Sequence, residues 1–271
     1  MSGKLAGQHA FITGGGSGIG LACARAFLAD GARVTIMGRS RDKLEKAVAD
    51  LGSLGEVGLH VGDVAKEAEV QAALEAAHAV RPLSIAVANA GTGGIAPLTV
   101  TSDDDWQRIM QTNLTGTFYT FKHAGRLIGS ASGGALCAIS SIAGVRTHRF
   151  MHAYCASKAA IDMLVRTTAD ELGVSGVRVN SVCPGLVDTE IAAGLFATDA
   201  VHQDYLDCMP IGRTGKPVDI ANAVRFLCGP EASWVTGVSL SVDGGHHLRR
   251  GPNYEPFIRA LYGDDLAEGR L

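Results

Sequence analysis

The chain has 271 residues and a mass of 28.1 kDa, room for one large α/β domain, and its 46% hydrophobic residues suffice to fill a core. A net charge of −3 with no run of like charges leaves no field to hold nucleic acid or an anionic membrane, and no apolar run approaches the ~18 residues of a membrane span. Six cysteines without a CxxC pair indicate neither a disulfide framework nor a zinc site, so reduced thiols in the cytoplasm and no metal are expected; "MSGKLAGQ" runs straight into an apolar strand, so no leader is expected either.

In chain order, short apolar runs alternate with segments of helical periodicity, the pattern of βαβ units in a parallel sheet. "HAFIT" (9–13) is the expected first strand, followed after Gly18 by a helix with Ile19, Ala22, Cys23, Ala26 and Phe27 on one face. "RVTIM" (33–37) is the second strand, with a helix over 41–51 behind it. "VGLHV" (57–61), "LSIAVAN" (83–89), "GALCAIS" (134–140) and "VRVNSVC" (177–183) continue the series, and "GVSLSVDGG" (237–245) closes it as a seventh. No Pro- or Ser-rich linker divides the chain. The expectation is a single α/β domain over 1–271, a Rossmann-type doubly wound parallel sheet of seven strands with helices on both faces. Two segments leave the alternation. Residues 188–216, with Ile191, Leu195 and Phe196, suit a lid. Residues 246–271 form a tail whose Tyr254, Phe257, Ile258, Leu261 and Tyr262 need an apolar partner.

Several of these segments end in residues that can do chemistry. The first strand runs into "TGGGSGIG" (13–20), where glycines allow a sharp turn and let a pyrophosphate approach backbone N–H groups at a helix N-terminus; alone, such a run is equally an ordinary tight turn. Asp63 of "GDV" (62–64) can accept from an adenine amino group or cap a helix. Asn89 of "NAG" (89–91) ends the fourth strand, where small residues leave room for a ligand or simply make a turn. "AYCASKAA" (153–160) sets Tyr154 and Lys158 four residues apart, about 400° and about 6 Å along a helix, so the two can act on one object. On a surface helix the same spacing has no chemical meaning. Ile161, Leu164, Val165, Thr168 and Leu172 give that helix its core-facing stripe.

Thr13-Gly14, Gly18, Gly20, Asp63, Asn89-Ala90-Gly91, Asn113, Ser141, Tyr154, Lys158 and "PGLVDT" (184–189), in this order, resemble the motif set of the classical short-chain dehydrogenase/reductases. The resemblance covers nearly everything from the first strand to "VDGG" (242–245). It implies a nicotinamide dinucleotide with Thr13, Gly14, Ser17, Gly18, Ile19 and Gly20 at its pyrophosphate turn. Asp63, Val64, Asn89, Ala90 and Gly91 would lie along it, and Pro184, Gly185, Val187 and Thr189 at its carboxamide end, with Tyr154 and Lys158 touching it as well. It implies Tyr154 as acid/base, Ser141 rather than Ser140 on the substrate oxygen, and Asn113 ordering a water that links Lys158 to solvent. Relatives are usually tetramers, which implies a homotetramer in which the tail packs on a neighbouring subunit and helps close that subunit's pocket.

Elementary chemistry supports these roles. A free phenol titrates near 10, so acting near neutrality needs about 4 kcal/mol of anion stabilisation, and an ammonium one turn away supplies a few kcal/mol of it, the expected task of Lys158. The second strand runs into Gly38-Arg39-Ser40-Arg41 with no carboxylate at the ribose position. The Arg39 guanidinium suits a 2′-phosphate, so NADP is the expected cofactor, with NAD as the alternative; Asp42 reads as a helix start. The expected substrate is a small ketone or secondary alcohol, and Ile142, the 191–196 segment and Trp234 offer apolar surface that suits a sterol, a ketoacyl thioester, a cyclic ketone or a sugar alike. Enoyl reductases of this superfamily space Tyr and Lys more widely, which disfavours that activity. The competing readings are a catalytically quiet dinucleotide-binding regulator on the same fold and an NAD-preferring alcohol or hydroxysteroid-type dehydrogenase. Cys155 reads as a small filler, His246-His247 as a solvated pair, and Arg146, His148, Arg149 and His152 as exposed groups near the substrate mouth.

Overall fold

The computed structural model describes residues 3–131 and 133–270. Seven parallel strands make one sheet: β1 (His9–Thr13), β2 (Arg33–Gly38), β3 (Val57–Val61), β4 (Ile85–Ala88), β5 (Gly134–Ile139), β6 (Val177–Pro184) and β7 (Ser239–Val242). Their lateral order is β3-β2-β1-β4-β5-β6-β7, so the chain winds outward from β1 and, from β4 onward, winds the other way. Ala10 of β1 is flanked by Val34 of β2 and Ile85 of β4, which puts the reversal between β1 and β4. The doubly wound parallel sheet expected from the alternating pattern is the fold observed.

The helices are α1 (Gly18–Ala29), α2 (Arg41–Leu51), α3 (Glu67–Val80), α4 (Asp103–Met110), α5 (Gly116–Ala131), α6 (His152–Leu172), α7 (Ala193–Phe196), α8 (Asp199–Cys208), α9 (Pro217–Cys228), α10 (Glu255–Tyr262) and α11 (Asp264–Ala267). All five residues of β1 are buried, as a central strand covered on both faces requires. Phe27, Leu44, Ile220 and Val224 bring α1, α2 and α9 onto one face, and Leu74, Phe121, Ile161 and Val165 bring α3, α5 and α6 onto the other. No described helix is long and apolar enough to cross a membrane.

Three strands are shorter than expected, β5 by its last residue and the other two for local reasons. β4 stops at Ala88 because the Asn89 N–H donates to Thr13 Oγ1 (3.0 Å). β7 begins at Ser239 because the Asn180 side chain takes the Val238 N–H (3.1 Å).

A third, smaller apolar cluster sits beyond these two, built from Leu186, Ala192, Val201, Tyr205, Met209 and Tyr254. It joins the 188–216 segment, which folds as α7 and α8, to the tail. Tyr254 and Ile258 are 0% exposed within their own subunit. Arg149 donates to Glu255 (2.9 Å) and to the Ala267 carbonyl (2.6 Å), tying α10 and α11 to the loop before α6. The expectation that the tail needs a neighbouring subunit to cover it is therefore corrected, since α8 and that loop supply both the apolar partner and the charges. Leu261 and Tyr262 do stay exposed. Leu271, the last residue of the expected tail, lies outside the described residues.

Candidate active site

Where the strand order reverses, the carboxyl ends of the strands open onto a cavity of about 770 Å³. Thr13 Oγ1 accepts from the N–H groups of Asn89 (3.0 Å) and Ala90 (3.1 Å), while Asn89 Nδ2 donates to the carbonyls of Thr13 (2.9 Å) and Gly14 (3.2 Å). These bonds clamp β1 to β4 and fix the glycine turn. Gly18 opens α1 at φ 52°, a conformation side chains rarely adopt. A Cβ at Gly20 would lie 2.4 Å from the Gly14 carbonyl oxygen, so the turn can pass over α1 only where that atom is missing. Ser17 precedes α1 without a side-chain capping bond, and no acidic residue occupies its first turn. The N–H groups at this end therefore face the cavity with no acidic residue in the first helical turn, and a pyrophosphate fits them.

Gly14, Ser17, Gly18 and Ile19 line this cavity, as do Asp63, Val64, Asn89, Ala90 and Gly91, and beyond them Pro184, Gly185, Val187 and Thr189. Thr13 and Gly20 do not. Thr13 is buried with its hydroxyl consumed by the clamp, and Gly20 is buried under the turn, so their expected contact with the dinucleotide is corrected to a supporting position. Asp63 Oδ1 accepts from the Ala65 N–H (3.0 Å) in a local turn and does not cap α3, whose N-cap is Lys66, so Oδ2 is left to the cavity. Arg39 stands exposed on the rim and makes no ion pair among the described residues. Ser40 caps α2 by accepting from the Lys43 N–H (3.4 Å), and Asp42 lies in the first helical turn as expected.

At the inner end, α6 carries Tyr154 and Lys158 with the ammonium 5.5 Å from the centre of the phenol ring. Lys158 is buried, and its Nζ donates to the Ile139 carbonyl (2.7 Å). Burial pulls its pKa down to about 8, against the pull of the Asp162 carboxylate. Ser141 lies just beyond β5 and hydrogen-bonds Tyr154, whereas Ser140 Oγ donates to the Lys158 carbonyl (3.2 Å). The Tyr154 phenol departs from expectation. Burial holds it above its ordinary pKa, with the Ser141 bond acting in the opposite direction, because desolvation of the phenolate outweighs its polar neighbours. Asn113 is buried in a π-helical stretch, Gln111–Thr115, between α4 and α5. Its Oδ1 accepts from the Thr92 N–H (2.8 Å), and its Nδ2 donates to the Thr92 carbonyl (2.9 Å) and Ser157 Oγ (3.1 Å). A Cβ at Gly91 would lie 3.3 Å from Asn113 Oδ1 and 3.8 Å from Lys158 Nζ, so these side chains meet at one point beneath Gly91.

Several peripheral expectations change. His148 is 6% exposed and lines the cavity; burial lowers its pKa to about 4. Arg146 donates to the His247 carbonyl (2.7 Å) and Arg149 to the tail, so neither is a free loop charge. His152 is partly buried and stacks on Trp106. His246 is buried and His247 pairs with Asp243 (2.9 Å), which replaces the solvated pair. Trp234 is 98% exposed beside a separate groove near Lys4 and Arg178, away from Tyr154. Ile142 and, from the 191–196 segment, Ile191, Ala192, Gly194 and Leu195 line the cavity, and Cys155 is a filler whose Sγ reaches the His148 carbonyl (3.8 Å). Among the lining residues that were missed are Tyr205 and, on its own subunit rather than a neighbour's, Phe257. Their signal was the apolar character of the lid and tail, but nothing in sequence spacing brings either beside Tyr154.

Comparison with known proteins agrees with this geometry. The family model described as enoyl-(acyl carrier protein) reductase matches residues 14–247. A galactitol 2-dehydrogenase (L-tagatose-forming) of Cereibacter sphaeroides is 38% identical over 245 residues, covering 90% of this chain and 96% of that protein. The structure of a short-chain type dehydrogenase/reductase from Mycobacterium ulcerans superposes with a TM-score of 0.96 at 39% identity over 100% of both chains. A 7α-hydroxysteroid dehydrogenase solved with NADH and 7-oxo glycochenodeoxycholic acid superposes with a TM-score of 0.86 at 35% identity, covering 89% of this chain and 94% of that one. Relatives of this kind favour an enzyme over a quiet dinucleotide-binding regulator, and their names describe alcohol and ketone chemistry rather than enoyl reduction. The chain belongs to the classical short-chain dehydrogenase/reductase family, as an NAD(P)-dependent oxidoreductase acting on a ketone or secondary alcohol.

Proposed function

We propose that this protein is an NADP-linked carbonyl reductase/alcohol dehydrogenase in which Tyr154 moves the proton, Ser141 holds the substrate oxygen, and Lys158 and Asn113 support the phenol. The observation that carries this reading is the meeting of Ser141, Tyr154 and Lys158 at the inner end of the cavity that begins at the glycine turn, with Asn113 buried behind Gly91 near Lys158. The dinucleotide, when bound, supplies or accepts the hydride. Ser141 Oγ accepts from the Ala143 N–H (3.1 Å), and its O–H, which meets the Tyr154 phenol, can turn to donate to a substrate oxygen that takes its place beside the phenol. The protonated phenol that burial favours is the form a ketone needs at its oxygen. Lys158, brought near neutrality, can pass a proton on, and a water next to Asn113 would be held by its main chain, because its side chain is engaged. Arg39, unpaired at the rim, supports NADP through bidentate contact with a 2′-phosphate.

In this reading the chain works as one domain in the cytoplasm, with residues 188–216 as the substrate lid. Assembly as a homotetramer is supported by β7 at the sheet edge with Phe226 and Val238 exposed beside it, a surface suited to pairing with a copy. Light scattering should give four times 28.1 kDa. The activity is tested by following NADPH and NADH oxidation with a panel of ketones. Tyr154→Phe, which keeps the ring and removes the proton, should lose at least ~10³-fold in kcat while dinucleotide affinity stays within about threefold. A variant that retains most of its turnover overturns the assignment.

A further inference from the structure

The lining of the cavity contains a polar group that the proposed chemistry does not use. His148 Nδ1 lies 3.1 Å from the Arg146 carbonyl and donates to it, so the neutral ring carries its proton there and leaves Nε2 as a bare acceptor. That nitrogen has no partner among the described residues. It is also not sealed in the core, unlike Nδ1 of the neighbouring His246, which is buried without a partner while Nε2 of that ring donates to the Arg250 carbonyl (3.1 Å). His148 lines the cavity and His246 does not, so the open acceptor is the one a ligand can reach.

Beside it stand Tyr205 and Tyr254, their ring centres each 6.5 Å from the His148 ring, with the two hydroxyls hydrogen-bonded to each other. One bond between two hydroxyls consumes one hydrogen; the other has no acceptor among the described residues. Tyr205 lines the same cavity, Tyr254 backs it, and both are buried. An open acceptor and a spare donor thus stand side by side on a wall otherwise furnished by Ile95, Met151, Leu195 and Phe257. A hydroxyl, which donates once and accepts as well, satisfies both. An apolar ligand in the same place leaves both unpaired, and sites built around a hydroxyl discriminate strongly against analogues that lack it.

The loop is braced for this. Phe150 adopts φ 72°, a left-handed conformation costly for an aromatic residue, in a loop held by Arg146 on His247, by Arg149 on Glu255 and by the Ala96 N–H on the Phe150 carbonyl (3.0 Å).

We propose that His148 and the Tyr205–Tyr254 pair form a subsite for a second hydroxyl of the substrate, so that the molecule turned over is a diol or a hydroxylated ketone whose remaining surface is apolar. This rests on the dehydrogenase reading of Tyr154, and it adds the substrate class.

The test compares kcat/KM for cyclohexanol with those for its 1,2-, 1,3- and 1,4-diols, with either oxidised dinucleotide, in the wild type and in His148→Leu, Tyr205→Phe and His148→Gln. The wild type is expected to favour at least one diol over cyclohexanol by tenfold or more. His148→Leu and Tyr205→Phe should reduce that ratio to within about threefold of one, and His148→Gln, which returns an amide acceptor near the Nε2 position, should restore it. Cyclohexanol turnover with no diol preference, or a preference that survives both deletions, overturns the hydroxyl subsite alone. Turnover of none of the four overturns the dehydrogenase reading and the subsite together. Tyr205→Phe keeps the test decisive if the leucine variant does not fold.

Discussion

Arg39 carries the choice of dinucleotide. Its guanidinium is exposed at the cavity rim and bound to no carboxylate among the described residues. Arg39→Asp replaces attraction for a 2′-phosphate with repulsion and offers an acceptor to ribose hydroxyls. The ratio of kcat/KM values for the two cofactors should move at least tenfold toward NAD, about 1.4 kcal/mol. A wild type that already prefers NAD, the cofactor seen in the related 7α-hydroxysteroid dehydrogenase structure, refutes the premise. His148 makes a second residue-scale prediction. Burial depresses its pKa to about 4, so the unfolded chain takes up a proton below about 6.5 that the folded protein refuses. Stability from this ring is therefore complete near neutrality and is lost as pH falls from 6.5 toward 4. The full span is about 3 kcal/mol, an upper figure because the neighbouring His246 is depressed as well. In urea unfolding at pH 7 and pH 4.5, His148→Gln should lose about 2 kcal/mol less than the wild type. Equal losses would mean that the ring titrates normally.

At the scale of elements, the clamp between β1 and β4 and the glycine turn work as one unit. Thr13 and Asn89 hold the strand ends together, and Gly20 lets the turn lie on α1. Gly20→Ala places a methyl group 2.4 Å from the Gly14 carbonyl oxygen and 2.5 Å from Asn89 Nδ2, where backbone has to move. The expected cost is about 2–4 kcal/mol, together with weakened dinucleotide binding. Gly173→Ala, after the end of α6, meets nothing within 4 Å and should change stability by less than about 1 kcal/mol. Paired thermal melts and dinucleotide titrations check both; a Gly20 variant as stable as the control shows that the turn has slack.

For the whole molecule, the third apolar cluster makes the lid and tail one body. Tyr254 fills it from α10's N-terminal side, Tyr205 from α8, and Phe257 carries the tail to the cavity wall. Truncation after Gly251 removes Tyr254 and Phe257 and uncovers α8. Melting temperature should fall, and kcat/KM for the organic substrate should drop tenfold or more, while dinucleotide affinity stays within about threefold because the glycine turn lies outside this cluster. The oligomeric mass should not change, because the tail docks within its own subunit. Loss of assembly with unchanged substrate kinetics would place the tail at a subunit interface instead.

The sequence by itself determined the parts of this protein whose physics is local. Short apolar runs and period-3.6 patterns placed the strands and helices, because a strand buried on both faces and a helix buried on one leave those signatures in any context. Tyr154 and Lys158 were legible as a pair because one helical turn brings them together wherever the helix lies. The glycine turn was legible because so close a pass of backbone demands missing side chains. Tertiary structure decided what depends on segments distant along the chain. Thr13 reads like a ligand contact until β4 arrives and its hydroxyl goes to Asn89 and Ala90. His148 reads as an exposed ring until Tyr205 and Tyr254, 57 and 106 positions later, bury it and leave one nitrogen open. The phenol of Tyr154 reads as drawn down by its lysine until burial is counted, and desolvation depends on every segment that covers a group rather than on the neighbour one turn away.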